Sequence, residues 1–146
     1  VLISGDMLLP RISTNVSAFA ATPENDPLGL FLASIQRFEA LPADTLVLPS
    51  HGLPFRGLHL RIEQLRTHHA ARCSALQEAC QGKALTAAEL IPVVFERPIT
   101  DPFQTLFAMG ECLAHVFYLE QRGLLQRVQD DDVIRFRASK YSQQTP

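Results

Sequence analysis

The sequence predicts an α/β unit followed by a mostly helical module that closes with a β-hairpin. Three observations carry this reading. Two apolar, β-favouring runs, Val1-Leu2-Ile3-Ser4-Gly5 and Thr45-Leu46-Val47-Leu48-Pro49, flank a stretch with helical apolar spacing, the pattern of a strand, a crossover helix and a parallel strand. A long helical stripe then runs to about Gln81 and stops at Gly82, a residue suited to the left-handed position past a helix end. Beyond it, two capped helical segments precede two short alternating runs around Asp130-Asp131-Asp132, which read as a hairpin. Residues 1–83 are expected to form the first domain and 84–146 the second.

Taken in order, Val1 to Asp6 is a strand and Met7 to Ser17 a loop, because Pro10 and Arg11 interrupt any continuing ladder. Within that loop Asn15 and Ser17 either face a substrate or hold the loop's own backbone. Ala18 to Asn25 is small and polar and reads as an exposed loop. Asp26-Pro27 opens a helix, with Asp as cap and Pro in the first turn, where its missing N–H costs nothing. Leu28, Phe31, Ile35 and Phe38 share one face, with Leu32 beside them, until Pro42 and Asp44 end the helix. The second strand follows to Pro49, and the chain turns at Ser50 and Gly52 with one imidazole, His51, between them. In the long helix, Ile62, Leu65, His69, Cys73, Leu76 and Cys80 form one stripe, with Arg61, Arg66 and Arg72 off it. His69 on that apolar stripe is read as a packed core residue and His68 as half-exposed; adjacent helical residues point apart and do not aim two imidazoles at one ion.

The second module starts at Leu85. Thr86 and Glu89 form a capping box, with Leu85 and Leu90 placed as its hydrophobic staple, and a short helix follows through Phe95. Asp101-Pro102 caps a further helix, whose stripe is Leu106, Phe107, Gly110, Leu113, Ala114 and Phe117. Gly110 in its middle marks either a close contact or a break. The hairpin runs over Leu125 to Val128 and Val133 to Arg137, with Ile134 and Phe136 expected on a buried face and Arg135 and Arg137 on a wet one. No glycine stands at the turn, so a longer acidic loop is expected in place of a two-residue one. Helices followed by a hairpin make a winged helix. Ser139 to Pro146 reads as a frayed polar tail.

Composition bounds the function. The chain has 146 residues, of which 47% are hydrophobic, enough for one fair core or two small ones. A net charge of −2 gives no electrostatic footprint for nucleic acid. In the second helix of the winged module, Glu111 to Gln121 offers two acids and no Lys or Arg, whereas a reading helix needs donors toward base edges; the hairpin does carry Arg127, Arg135 and Arg137. The module is therefore expected to pack, dimerise or cover a substrate. His115 on this helix is read as structural. Cys73, Cys80 and Cys112 are an odd number, and Cys73 and Cys80 lie two helical turns apart, out of disulfide reach. Free thiols point to a reducing, cytoplasmic setting. No apolar run reaches the 18 or more residues of a membrane span, so no membrane partner is expected.

The chemistry concentrates at the two strand ends. Each strand ends in a small turn, one followed by the carboxylate of Asp6 and the other by the imidazole of His51. Zinc takes both donor types, and ligands in crossover units sit beyond the carboxyl ends of strands. Other constellations fail: there is no Gly-x-Ser-x-Gly elbow, no Gly-x-x-x-x-Gly-Lys loop and no close cysteine pair. Ser50 and His51 are adjacent on a turn and are not read as a Ser/His dyad.

Gly5-Asp6, Leu8 to Ser17, and Pro49-Ser50-His51-Gly52-Leu53-Pro54-Phe55 resemble the second half of a metallo-β-lactamase-fold hydrolase, in the branch that carries a winged helix after the hydrolase fold. The implied fold class is α/β, a partial αββα sandwich, followed by a mostly α winged-helix domain. The resemblance implies that Asp6 bridges two divalent metal ions, most often zinc, and serves as the catalytic carboxylate, and that His51 binds one ion. It also includes the His68-His69 pair, which stays outside the expected metal set. The His-x-His-x-Asp-His loop of the family's first half is absent from this sequence, so the chain is expected to be the C-terminal part of a longer enzyme, inactive by itself. The expected reaction is hydroxide attack on an acyl or thioester bond of a small-molecule substrate. The alternatives are an RNA phosphodiester guided by the winged helix, or a non-catalytic interaction module. With its first half absent, the sheet is expected to be disordered, rearranged or covered by a second copy of the chain, giving a homo-oligomer.

Overall fold

Strand β1 (Leu2–Gly5) lies parallel to β2 (Val47–Pro49), with Leu2 opposite Val47, Ile3 opposite Leu48 and Gly5 opposite Pro49. A parallel pair needs a crossover, which here is α1 (Pro27–Gln36) continued by a 3-10 turn, Arg37–Ala40. These belong to a computed structural model that describes residues 1–95 and 98–139. The expected polar tail from residue 140 on lies outside the described residues. The chain divides into two compact units, one of Val1–Asn15 with Gly29–His69 and one of Val16–Leu28 with the described residues from Ala70 on.

In the first unit the core is built from Leu8, Leu9, Phe31, Ile35 and Val47 and from one face of α2 (Leu58–Ala79), where Leu58, Ile62, Leu65 and His69 are buried. His69 makes an edge-on ring contact with Phe31 at 5.6 Å between centroids. It is a packed core imidazole, as its place on the apolar stripe predicts. After β2 the chain folds back at once: Val47 and Phe55 exchange both backbone hydrogen bonds, at 2.8 and 3.0 Å. Residues 48–54 are thereby held as a closed loop. Arg61 performs a similar service for the loop after β1. Its Nε donates to the Leu9 carbonyl at 2.6 Å and its Nη2 to the Ile12 carbonyl at 2.8 Å, so one rigid guanidinium fixes both ends of residues 9–12. Burial lowers the pKa of Arg61 from its usual value.

In the second unit α3 (Ala87–Val94) opens on the expected capping box, with Thr86 accepting from the Glu89 N–H and Glu89 accepting from the Thr86 N–H. Helix α4 (Pro102–Gln121) starts at Asp101, whose carboxylate accepts from the Gln104 N–H at 2.8 Å. It runs unbroken through Gly110, which decides between the two roles open to that glycine. A Cβ at Gly110 would stand 2.7 Å from Ser17 Oγ and 2.9 Å from Ser17 Cβ, and the Gly110 carbonyl accepts from the Ala18 N–H at 2.9 Å. The glycine permits a close backbone approach.

Strands β3 (Leu125–Asp130) and β4 (Val133–Ala138) form an antiparallel hairpin, and Leu85 adds a two-way backbone bridge to Phe136. Two expectations fail here. Asp130 pairs with Val133, so the connection is two residues long, and Asp131 takes φ of +51°; aspartate tolerates the left-handed region that the tight turn requires without glycine. Ile134 is 41% exposed, and of the alternating pair only Phe136 is buried. The stripe of α4 is also narrower at its start than its spacing predicts. Leu106 and Phe107 are exposed beside Phe103, whereas Leu113, Ala114 and Phe117 are buried.

Two arginines tie this unit together. Arg127 donates twice to Glu120, at 3.0 and 2.7 Å, with its guanidinium near the Phe117 and Phe136 rings. Arg72 pairs with Glu111, both side chains largely buried, and its guanidinium stands over Phe95. Burial raises the Glu111 pKa, while Arg72 pulls it back. The folded state thus holds the Glu111 proton more tightly than the unfolded chain does. Its contribution to stability is full below the ordinary glutamate value and is lost as pH rises from there through the higher folded value.

Two stability measurements follow from these contacts. Gly→Ala in an open helix stabilises by up to about 1 kcal/mol, but at Gly110 we expect a loss of about 1–3 kcal/mol from overpacking, read by urea unfolding and partly recovered by adding Ser17→Gly. Arg72→Ala should cost about 3–5 kcal/mol because it strands a buried carboxylate. Glu111→Gln should cost clearly less and should flatten the fall in stability between acid and neutral pH.

Candidate metal centre

Asp6 is the first residue after β1, and His51 is the second after β2. Parallel pairing brings both to one end of the two-stranded sheet, where His51 Nε2 lies 3.7 Å from Asp6 Oδ1. Both side chains are open to solvent, 73% exposed for His51 and 65% for Asp6. An exposed polar contact of this kind stabilises a fold by little. The arrangement therefore asks for an explanation other than stability.

The backbone around each ligand is closely determined. Gly5 has φ of +55°, and the Ser50 N–H donates to the Gly5 carbonyl at 3.1 Å, extending the sheet one step past the strands. The Ser4 hydroxyl, buried, donates to the Leu8 carbonyl at 3.0 Å, and the Thr14 hydroxyl donates to the Asp6 carbonyl. On the other side, Gly52 has φ of +84°, and a Cβ there would come within 2.7 Å of Pro10 Cγ. Only glycine fits both the conformation and the space, so the loop holding His51 sits against the loop that follows Asp6.

The Ser50 hydroxyl donates to Asp6 Oδ1. A donor behind a ligating carboxylate fixes its rotamer. Reading Ser50 only as a turn residue misses this role; its place one residue before His51, across from a strand followed by aspartate, is the signal that points to it. Thr14 and Arg61 are likewise legible as residue types without showing which carbonyls they meet.

Asp6 and His51 fit part of a metal site. Two donors each about 2.1 Å from a tetrahedral ion stand about 3.4 Å apart, close to the 3.7 Å found between Oδ1 and Nε2. Carboxylate oxygen and imidazole nitrogen are also the donor types that a hydrolytic zinc uses. Among the described residues, however, no group of three or more His, Cys, Asp or Glu side chains converges as a metal site. His59, on α2, is hydrogen-bonded to the Leu41 carbonyl at 2.9 Å. His115 is fully buried with Nδ1 on the Glu111 carbonyl at 2.8 Å, a structural contact. Cys73, Cys80 and Cys112 are free and buried, and burial pushes the Cys73 and Cys112 thiols up to about 12. Protonated thiols are poor ligands and poor nucleophiles.

Beside His51 lies an open groove of about 520 Å³, walled by residues 9–12 on one side and 51–55 on the other. Its volume is that of a small-molecule site. No helix among the described residues is long and apolar enough to cross a membrane.

Comparison with known proteins bears on the fold. Residues 73–139 match the family described as Metallo-beta-lactamase-like, C-terminal domain. A beta-lactamase domain protein from Burkholderia ambifaria is similar over 94% of this chain, with 52% identity and a TM-score of 0.90. A metallo-beta-lactamase family protein from Thermus thermophilus is similar over 93%, with 34% identity and a TM-score of 0.76. The chain spans 41% of the length of each of these two structures. No curated protein matches it. The chain therefore carries a metallo-beta-lactamase-like C-terminal domain and, over nearly its whole length, shares its fold with proteins of the metallo-beta-lactamase family.

Proposed function

We propose that this chain supplies Asp6 and His51 to the di-metal site of a hydrolase that cleaves an acyl or thioester bond of a small molecule. The observation that carries the reading is the meeting of these two side chains, 3.7 Å apart and solvent-facing, at the carboxyl ends of paired strands. Because the chain spans 41% of its structural neighbours, the remaining ligands are assigned to residues outside these 146. Divalent ions, zinc by the donor types, would when bound supply an acidified water and Lewis-acid polarisation of a carbonyl. Asp6 would hold the ions together, His51 would hold one of them, and Ser50 would keep the Asp6 carboxylate turned toward them. The groove beside His51 would receive the substrate and limit water around it.

In the same reading α3, α4 and the β3–β4 hairpin form a winged-helix module that packs or covers and does not read nucleic acid. The three arginines of its hairpin support this, since each has a partner within the protein. Arg127 is held by Glu120, Arg135 lies 3.2 Å from Glu89, and Arg137 donates to Gln126. A phosphate would have to displace those partners. The buried free cysteines fit a reducing cytoplasm.

Hydrolysis by the full-length protein, measured on a thioester panel beside an RNA panel, is the experiment. Turnover of thioesters is expected, and cleavage of RNA alone would reverse the substrate assignment. Asp6→Ala and His51→Ala should each lower turnover by about 10³-fold or more, a loss of several kcal/mol of barrier stabilisation; full activity in these variants would remove both residues from the site. Ser50→Ala should weaken metal affinity by about 10–100-fold without unfolding the protein, as read by competition with a chromogenic chelator. The 146 residues alone should hold less than stoichiometric zinc.

A further inference from the structure

Arg11 is exposed at the rim of the groove beside His51 and makes no ion pair with any described residue. Arg61 is different: all three of its donor nitrogens face the Leu9 and Ile12 carbonyls or Gln64. That clamp fixes the backbone on both sides of Arg11, so the free guanidinium stands on a rigid loop. The groove also places large aliphatic side chains against water. Leu53 is 80% exposed and Ile12 64% exposed, on opposite walls, with Pro54 and Phe55 beyond. No carboxylate lines it among the described residues. A second cavity, of about 230 Å³, is also lined by Arg11, together with Ser13, Gln64 and His68.

We propose that this groove selects an acyl substrate with an aliphatic body and an anionic end, the chain lying between Ile12 and Leu53 and a carboxylate or phosphate paired with Arg11. The link to hydrolysis rests on the metal reading of Asp6 and His51; the binding does not. A planar guanidinium with free donors takes either anion through charge-assisted hydrogen bonds. Exposed aliphatic walls gain by covering an apolar chain. The ligand would thus run from the anion at Arg11 along the groove past His51, which is where a scissile bond must lie for the two ligands to serve it. Arg11 acts in specificity, and Arg61 is the positioning residue that keeps it there.

The test is calorimetric titration of the full-length protein with octanoate, octyl phosphate and octanamide. Both anions should bind at least about tenfold tighter than the amide, and added salt should narrow that gap, as expected of an exposed charge. Arg11→Ala should erase the gap and leave octanamide unchanged, whereas Leu53→Ser should weaken all three. Whichever anion binds more tightly identifies the head group. Equal affinities for anion and amide, a gap that survives Arg11→Ala, or no binding of any of the three overturns the proposal. The two readings fail separately. If Asp6→Ala keeps full hydrolysis the metal assignment is lost while these affinities stand; if hydrolysis needs Asp6 but the three ligands bind alike, the groove assignment is lost alone.

Discussion

The parallel pairing of β1 and β2 is the constraint on which the candidate site depends. In a parallel pair both carboxyl ends emerge at the same end of the sheet, and the residues that follow share one small region of space. Gly5 opposite Pro49 sets the register, so Asp6 and His51 arrive one and two residues later at hydrogen-bonding range of each other's surroundings. Side chains alternate between faces along a strand, and a slip of one residue would turn the preceding residues to the other side. The Ser50 N–H on the Gly5 carbonyl, the Val47–Phe55 exchange and the Gly52–Pro10 contact all work against such a slip. The two loops are thus fixed by the backbone before any metal is considered.

In the proposed reading the same loops would carry recognition as well as ligation. Residues 9–12 descend from Asp6 and residues 51–55 contain His51, so the walls of the groove and the two candidate ligands share one framework. Arg61 joins that framework from α2. A guanidinium that donates to the Leu9 and Ile12 carbonyls satisfies backbone acceptors of an irregular segment. In the second unit, the arginines serve a different end: Arg72 and Arg127 lie against aromatic rings and carboxylates and hold helix and hairpin to their neighbours. Cation count alone does not distinguish these roles; partner and burial do.

Much of this is legible in the sequence because it depends on local chemistry. The strand–helix–strand unit follows from apolar runs and spacing, the α3 start from Thr86 and Glu89, and the burial of His69 from its place on an apolar stripe. The conjunction of Asp6 and His51 is legible through topology, since parallel strands place their ends together. What is not legible depends on partners distant in sequence. Ser50 meets Asp6 across 44 residues, and Arg61 meets Leu9 across 52. The hairpin turn departs from expectation because glycine is only the commonest residue for a left-handed position and Asp131 fills it. Ile134, Leu106 and Phe107 keep the right spacing for burial, yet periodicity marks a face without saying how far the neighbouring element extends over it.

Asp6 and His51 are proposed as ligands in one metal site, and anomalous diffraction at the zinc edge, from crystals of the full-length protein, tests that proposal most directly. An anomalous peak is expected within about 2.2 Å of an Asp6 carboxylate oxygen and a second peak roughly 3.5 to 4 Å away, with one of the two within about 2.1 Å of the His51 imidazole. Metal bound elsewhere, with Asp6 and His51 left paired only with each other, would contradict it.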